Sequence, residues 1–399
     1  MKKIIAMFLV GLVSWINSES LFSEEAPKPL PTPSEAIDES LKREAIAGIQ
    51  RAVNFLTDNQ KPDGSWCNHP AITALVCMAI ENSHSKENSE IRKSAVEKGR
   101  EYILKFVQPD GSIWMAGKEK EYPNYTTAVS LAFLALHNDP NDETVMRNAR
   151  KYLLGSQVND PKNPFHGGIG YGSAGEGRPD LSNTQWALEA LYLTEHLDKE
   201  PFLNNPEDAK KADLAWKNAV MFLSKLQNLP ESNDSVWVLK SKDEAEKGGF
   251  IYKPDESKAS DKIGDKESLR TYGSMTYAGL KSMIYAKLDK NDPRVRAAVE
   301  WGKKHYTLDE NPGMGSEGHF YYIQTFSKAY SLLGEDMIKT DDGQEKAWRV
   351  DLVKKLLSLQ KGKGEWVNEK SGRWMECIPE LVTAYALLSL EAAMGTMLN

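Results

Sequence analysis

Apolar positions along this chain fall into two alternating kinds of segment. In AIAGIQRAVNFLTDNQ (45–60), SAVEKGREYILKFVQ (94–108), TVMRNARKYLLGSQ (144–157), DLAWKNAVMFLSKLQ (213–227), RVRAAVEWGKKHY (294–306) and WRVDLVKKLLSLQ (348–360), apolar residues recur at helical spacing and charges occupy the opposite face. That pattern predicts helices half open to solvent. In TALVCMAI (73–80), TAVSLAFLAL (127–136), TQWALEALYL (184–193) and TAYALLSLEAA (383–393), charge nearly disappears and small residues are frequent, which suits helices packed on most of their circumference. The alternation predicts an outer and an inner layer, all-α in class.

The junctions repeat as well. A glutamine at a helix end is followed by glycine and an aromatic residue in QKPDGSW (60–66), QPDGSIW (108–114), Gln157 with GGIGY (167–171), Gln227 with GGFIY (248–252) and QKGKGEW (360–366); a fifth copy in chain order, GHFYY (318–322), has no glutamine. Each junction leads to a threonine, namely Thr73, Thr126, Thr184, Thr276, Thr325 and Thr383, and six residues later to a small residue. Threonine after a turn and before an apolar run reads as a helix N-cap. One such unit cannot bury its own apolar face, so six are expected to stack. Successive threonines lie 53, 58, 92, 49 and 58 residues apart, and the long interval holds a Lys-, Asp-, Glu- and Ser-rich stretch at 229–270, expected as an exposed insertion.

QKPDGSW and QPDGSIW resemble the repeats of squalene and oxidosqualene cyclases, shared in looser form with protein prenyltransferase β subunits. The resemblance runs from about residue 42 to the C-terminal region. It implies a single α6/α6 toroid, in which six parallel inner helices surround a central cavity and six outer helices run antiparallel to them. It also implies an isoprenoid or other apolar small molecule as ligand. In that family the acid motif Asp-x-Asp-Asp-Thr lies at an inner-helix mouth; here Asp180-Leu181-Ser182-Asn183-Thr184 keeps the first aspartate and puts Ser182 at the proton donor's place. A hydroxyl is not an acid strong enough to protonate carbon. At the places matching the prenyltransferase zinc ligands stand Ser274-Met275-Thr276 and Gln324-Thr325, so neither metal nor cofactor is expected.

If the toroid forms, six amide-rich, positive helix ends converge on one opening. The candidate mouth residues are Asp180, Asn183, Trp186, Arg270, Tyr272, His319, Tyr322, Gln324, Glu380 and Tyr385, with Asp180 the candidate acid if the protein is catalytic. Cys67 and Cys377 each precede their threonine by six residues, in the first and last repeats; a closed toroid makes those loops neighbours, where a disulfide could clasp the ring.

The remaining features set limits. Among 399 residues the net charge is −7 and no long basic run occurs, so nucleic acid is not an expected partner. MKK, the apolar IIAMFLVGLV and the polar NSESLFS read as a signal peptide over 1–23, cleaved near 18–23, and the Pro-rich 24–41 as a linker before the toroid at 42–399. An exported protein, periplasmic or extracellular, is expected. Two other functions fit the sequence: a non-catalytic scaffold for an envelope protein, and a carbohydrate-active α/α toroid enzyme.

Overall fold

The computed structural model describes residues 37–83, 89–117, 122–172, 178–199, 202, 204–240, 243–259 and 269–395. The stretch expected as a signal peptide, 1–23, and residues 24–36 of the expected linker lie outside the described residues. Thirteen α-helices are found among the described residues. Six are inner: α2 (Pro70–Asn82), α4 (Pro123–His137), α6 (Leu181–Leu193), α9 (Gly273–Tyr285), α11 (His319–Leu333) and α13 (Pro379–Met394). Each packs on the next, and α13 packs back on α2, so the ring is closed. Outside them lie α1 (Glu39–Asp58), α3 (Ser89–Leu104), α5 (Glu143–Gly155), α7 (Pro206–Leu226), α10 (Pro293–Lys304) and α12 (Trp348–Leu359). The chain is therefore an all-α toroid. A short helix, α8 (Val236–Lys240), and a hairpin of β1 (Met337–Lys339) with β2 (Glu345–Ala347) complete the elements.

Burial follows the two patterns. α1 buries one stripe, Leu41, Ala45, Gly48, Ile49, Ala52, Val53 and Leu56, whereas α2 buries every residue from Pro70 to Ile80. Alternation along the chain points all six inner N-termini to one end, where the long junctions lie.

Four of those junctions share one set of bonds, while Gln108 in the second donates to the Phe106 and Trp114 carbonyls instead. The glutamine side-chain amide donates to its own loop's glycine carbonyl and to a carbonyl of the next outer helix: Gln60 to Gly64 and Ala95, Gln157 to Gly167 and Ala215, Gln227 to Gly248 and Arg294, Gln360 to Gly364 and Gly48, all at 2.7–3.0 Å. Three residues beyond that outer-helix carbonyl, the loop glycine packs on the helix backbone. Gly364, at φ +98°, lies so close that an added Cβ would stand 2.4 Å from the Arg51 carbonyl oxygen. No side chain fits there, and φ in this range favours glycine. Since Gly48 and Arg51 belong to α1, the last loop grips the first helix and closes the ring.

The threonines do not cap. Thr73, Thr184 and Thr276 lie in the fourth position of their helices, and the residues before these helices include Asp180 and His69, which do cap by side chain. The threonine hydroxyl instead accepts the backbone N–H two residues past the loop glycine: Trp66 to Thr73, Ile169 to Thr184, Phe250 to Thr276 and Trp366 to Thr383. In the second repeat the acceptor is Thr127, not Thr126, and its donor is Ile113, so the position needs an apolar residue and not an aromatic one. The insertion also differs from expectation. Its described part buries Leu229, Trp237, Val238, Phe250, Ile251 and Ala259, because its apolar residues fold back on the toroid beneath the charged ones.

Candidate functional site

Tyrosines gather at the amino-terminal mouth of the lumen. Tyr125 comes from α4, Tyr171 from the loop before α6, Tyr252 from the insertion, Tyr321 from α11 and Tyr385 from α13. Ring centroids lie 6.4 Å apart for Tyr125 and Tyr171 and 5.9 Å apart for Tyr321 and Tyr385. The hydroxyls of Tyr125 and Tyr385 meet, as do those of Tyr171 and Tyr252. Burial pushes the Tyr125 phenol up to about 12, so these groups stay protonated and act as hydrogen-bond donors and acceptors.

Two helices line the lumen with matching polar stripes. On α6 the stripe is Ser182, Gln185 and Glu189; on α11 it is Tyr321, Gln324 and Lys328, with the same i, i+3, i+7 spacing that keeps three residues on one face. The stripes touch at both ends. Ser182 Oγ lies 3.3 Å from the Tyr321 hydroxyl, which also accepts from Gln185 Nε2 at 3.3 Å, and Lys328 Nζ lies 3.5 Å from Glu189 Oε1. Between them, Gln185 Oε1 and Gln324 Oε1 are buried with no hydrogen-bond partner. Such an acceptor leaves about 1–3 kcal/mol uncompensated.

Asp180 is the N-cap of α6. Its Oδ1 accepts the Asn183 backbone N–H at 3.0 Å and its Oδ2 accepts Asn183 Nδ2 at 2.8 Å. The side chain is buried, which pushes the carboxyl up to about 6 even though those bonds pull it down. With both oxygens engaged inward, Asp180 is placed to hold a helix end. At the proton donor's place, the Ser182 hydroxyl faces Tyr321.

A second buried carboxyl does similar work nearby. Glu376, from the last loop, accepts the Tyr321 backbone N–H at 2.8 Å and Asn368 Nδ2 at 2.7 Å, and burial pushes it up to about 7. It caps α11 from outside, since Gly318 before that helix offers no side chain. The loop that carries it holds Trp374 and Met375 at positive φ, both exposed.

The expected mouth residues separate on this frame. Tyr385, Gln324 and Asn183 join the lumen cluster or its margin. Tyr322 does not: its hydroxyl donates to the Thr307 carbonyl at 2.6 Å and its ring lies 5.8 Å from Tyr277, between the layers. One residue is 100° of helix turn, so the lumen receives Tyr321 in its place. Trp186 is buried under the Lys281 ammonium, 4.9 Å from the ring centroid, and Tyr272 is buried just before α9. His319 donates through Nε2 to the Leu308 carbonyl at 2.9 Å, and burial holds its imidazole below the usual range, hence neutral. Arg270 pairs with Glu246 at 3.5 Å in the insertion, away from the stripes. Glu380 accepts from the Cys67 thiol at 3.8 Å; burial pushes that thiol up to about 11, and Cys67 and Cys377 are both free thiols. Tyr125, Tyr171, Gln185, Tyr252 and Tyr321 escaped the sequence reading, although Tyr171, Tyr252 and Tyr321 stand in the junction motifs it singled out.

No family model matches the chain, and no curated protein matches it in sequence. Solved structures do. The type II terpene cyclase MstE from Scytonema, in complex with its product merosterolic acid A, is 14% identical with a TM-score of 0.52 over 89% of this chain and 98% of that one. MstE with its substrate geranylgeranyl dihydroxybenzoate gives 13% and 0.51 over 89% and 99%. A possible GH105-family member from Salmonella enterica serovar Paratyphi A is 9% identical with a TM-score of 0.54 over 92% and 97%. Identities this low establish a shared toroid, terpenoid-cyclase-like in fold, and no shared chemistry.

Proposed function

We propose that this protein binds a small hydroxyl-bearing ligand, of carbohydrate type, in the tyrosine-lined mouth of its lumen, and that it does not start polyene cyclisation by protonation. The observation that carries this reading is the pair of buried, unpartnered amide oxygens of Gln185 and Gln324 next to the Tyr321 hydroxyl. Two acceptors in that setting want donors, and a polyol supplies them together with a face that packs on aromatic rings. A polyene packs on the rings but supplies no donors. The likeness in fold to a possible GH105-family protein is compatible with this reading. The sequence of the first 23 residues supports export, which would place the protein where such ligands occur.

An isoprenoid ligand is the second reading, favoured by the likeness to MstE and the isoprenoid compounds it binds. Against it, the lumen's lower end is charged, with Glu189, Lys281 and Lys328 in contact. Calorimetric titration of the purified protein with a panel of mono- and disaccharides and with geranylgeraniol separates the two. A saccharide is expected to bind, and Gln324→Leu to weaken it at least tenfold while the melting temperature holds. Binding of geranylgeraniol with no saccharide binding would sink the proposal.

A further inference from the structure

Four inner helices send charged side chains into the carboxyl-terminal end of the lumen, a region the proposed mouth ligand does not use. Glu189 of α6 is saturated: Lys281 Nζ of α9 lies 2.6 Å from one oxygen and Lys328 Nζ of α11 3.5 Å from the other. Lys281 is wholly buried and rests over the Trp186 ring. Glu391, in the last turn of α13, is different. It is 8% exposed, and neither carboxyl oxygen makes a well-formed hydrogen bond. Burial pushes its carboxyl well above the ordinary range, so it is protonated while the site is empty; the Lys328 charge and the nearby Asn82 amide of α2 pull the other way. The Lys328 side chain is 31% exposed, so this end of the lumen reaches solvent.

Ionising such a carboxyl without a partner is unfavourable by several kcal/mol, roughly, so it keeps its proton until a cation arrives. Its surroundings favour positive charge, because parallel inner helices bring the negative ends of their dipoles to this same end, where Arg349 already donates to the Ala392 and Ala393 carbonyls of α13. Among the described residues no group of three His, Cys, Asp or Glu side chains is arranged to hold a metal ion. A primary ammonium needs only hydrogen-bond acceptors, and Glu391 offers two oxygens.

The geometry points to a second ligand site, at the carboxyl-terminal end of the lumen, in which Glu391 anchors the primary ammonium group of a small organic amine. The site is independent of the mouth and of the ligand proposed there. Lys328 sets its strength: while it pairs with Glu189 it also competes, as a resident ammonium, for Glu391.

Titration calorimetry of the full chain with putrescine tests this, with 1,4-butanediol as the neutral isostere. Saturable putrescine binding is expected in the wild type, at least tenfold weaker in Glu391→Gln and at least threefold tighter in Lys328→Gln, with no binding of the diol. Glu391→Gln keeps the shape of the neutral carboxyl, so its melting temperature should hold. Should that variant not fold, Glu391→Asp, which retracts the carboxylate by one methylene, must show the same loss. Absence of putrescine binding in the wild type, unchanged affinity in Glu391→Gln, weaker binding in Lys328→Gln, or equal binding of the diol each overturns the site. Saccharide binding at the mouth should be unaffected by Glu391→Gln, so either site can fail alone.

Discussion

Five junctions of the ring and the fifth repeat solve the same problem differently. In the five, the helix-opening threonine accepts a loop N–H, and a glycine at positive φ lies against the next outer helix. In the fifth repeat Thr325 turns its hydroxyl to its own helix, at 3.2 and 3.0 Å from the Tyr321 and Tyr322 carbonyls, and stands seventh in α11. The helix thus begins earlier relative to its threonine, and its first amides are capped by Glu376 of the following repeat. Regular repeats commit the polar groups of their junctions to architecture. The irregular one starts its helix early with Tyr321 and Gln324 facing the Ser182 and Gln185 stripe of α6, as expected of a repeat that departs from its own rule where a position has a task beyond stability.

The largest break of this contrast should come at the ring seam. Gly364→Ala forces a Cβ against the Arg51 carbonyl at positive φ and should cost about 3 kcal/mol or more in urea unfolding, whereas Gly362→Ala in the same loop, with open space around it, should stay within about 0.5 kcal/mol. Glu376→Ala leaves the Tyr321 N–H and the Asn368 amide without their acceptor. It should cost about 2–3 kcal/mol, and hydrogen exchange should accelerate at the start of α11 more than at α2 or α6. Next come paired threonine substitutions. Thr383→Val strands the buried Trp366 N–H and should cost about 2 kcal/mol, while Thr325→Val should cost about 0.5 kcal/mol or less, because its helix carbonyls keep their own partners. Equal costs at the two sites would erase the distinction.

The smallest effect is one of pH. Glu376 has a folded value of about 7, above its ordinary 4.5, so the folded state holds this proton more tightly than the unfolded chain. Its contribution to stability is complete below about 4.5 and is lost as pH rises towards about 7. Asp180 behaves alike between 3.8 and about 6. Between pH 6 and 7 Glu376 shares the decline with Glu391 and His137, which are also raised, so the melting temperature of Glu376→Gln should be flatter there than that of the wild type without becoming level.

Much of the fold was legible because repetition averages out local error. Two layers, six units, their order and the glutamine at each regular junction follow from periodicity and composition. The site was less legible, because it depends on single-residue register. Thr126 for Thr127 and Tyr322 for Tyr321 are each one residue off, which on a helix is a turn of 100°; at the tyrosines it exchanges an interlayer position for a lumen one. The caps were misassigned for a different reason: Glu376 serves a helix more than fifty residues before it in the chain, and no local pattern carries such a bond. The charged floor was readable in principle. Glu189, Lys281, Lys328 and Glu391 interrupt segments that otherwise lack charge, and a charge inside a buried helix asks for a partner.

The grip of Gln360 on Gly48 spans 312 residues of sequence. A ribosome releases α1 long before the loop that holds it, so the growing chain passes through an open arc whose two ends have no one to meet until the last repeat emerges. Contacts of such separation also slow folding. Yet the same seam brings the first helix against the last, so a permuted gene that joins them and starts instead at the β1–β2 hairpin would make the old seam a continuous stretch of chain. Its product should refold to the same ring, with the late step moved to the new cut.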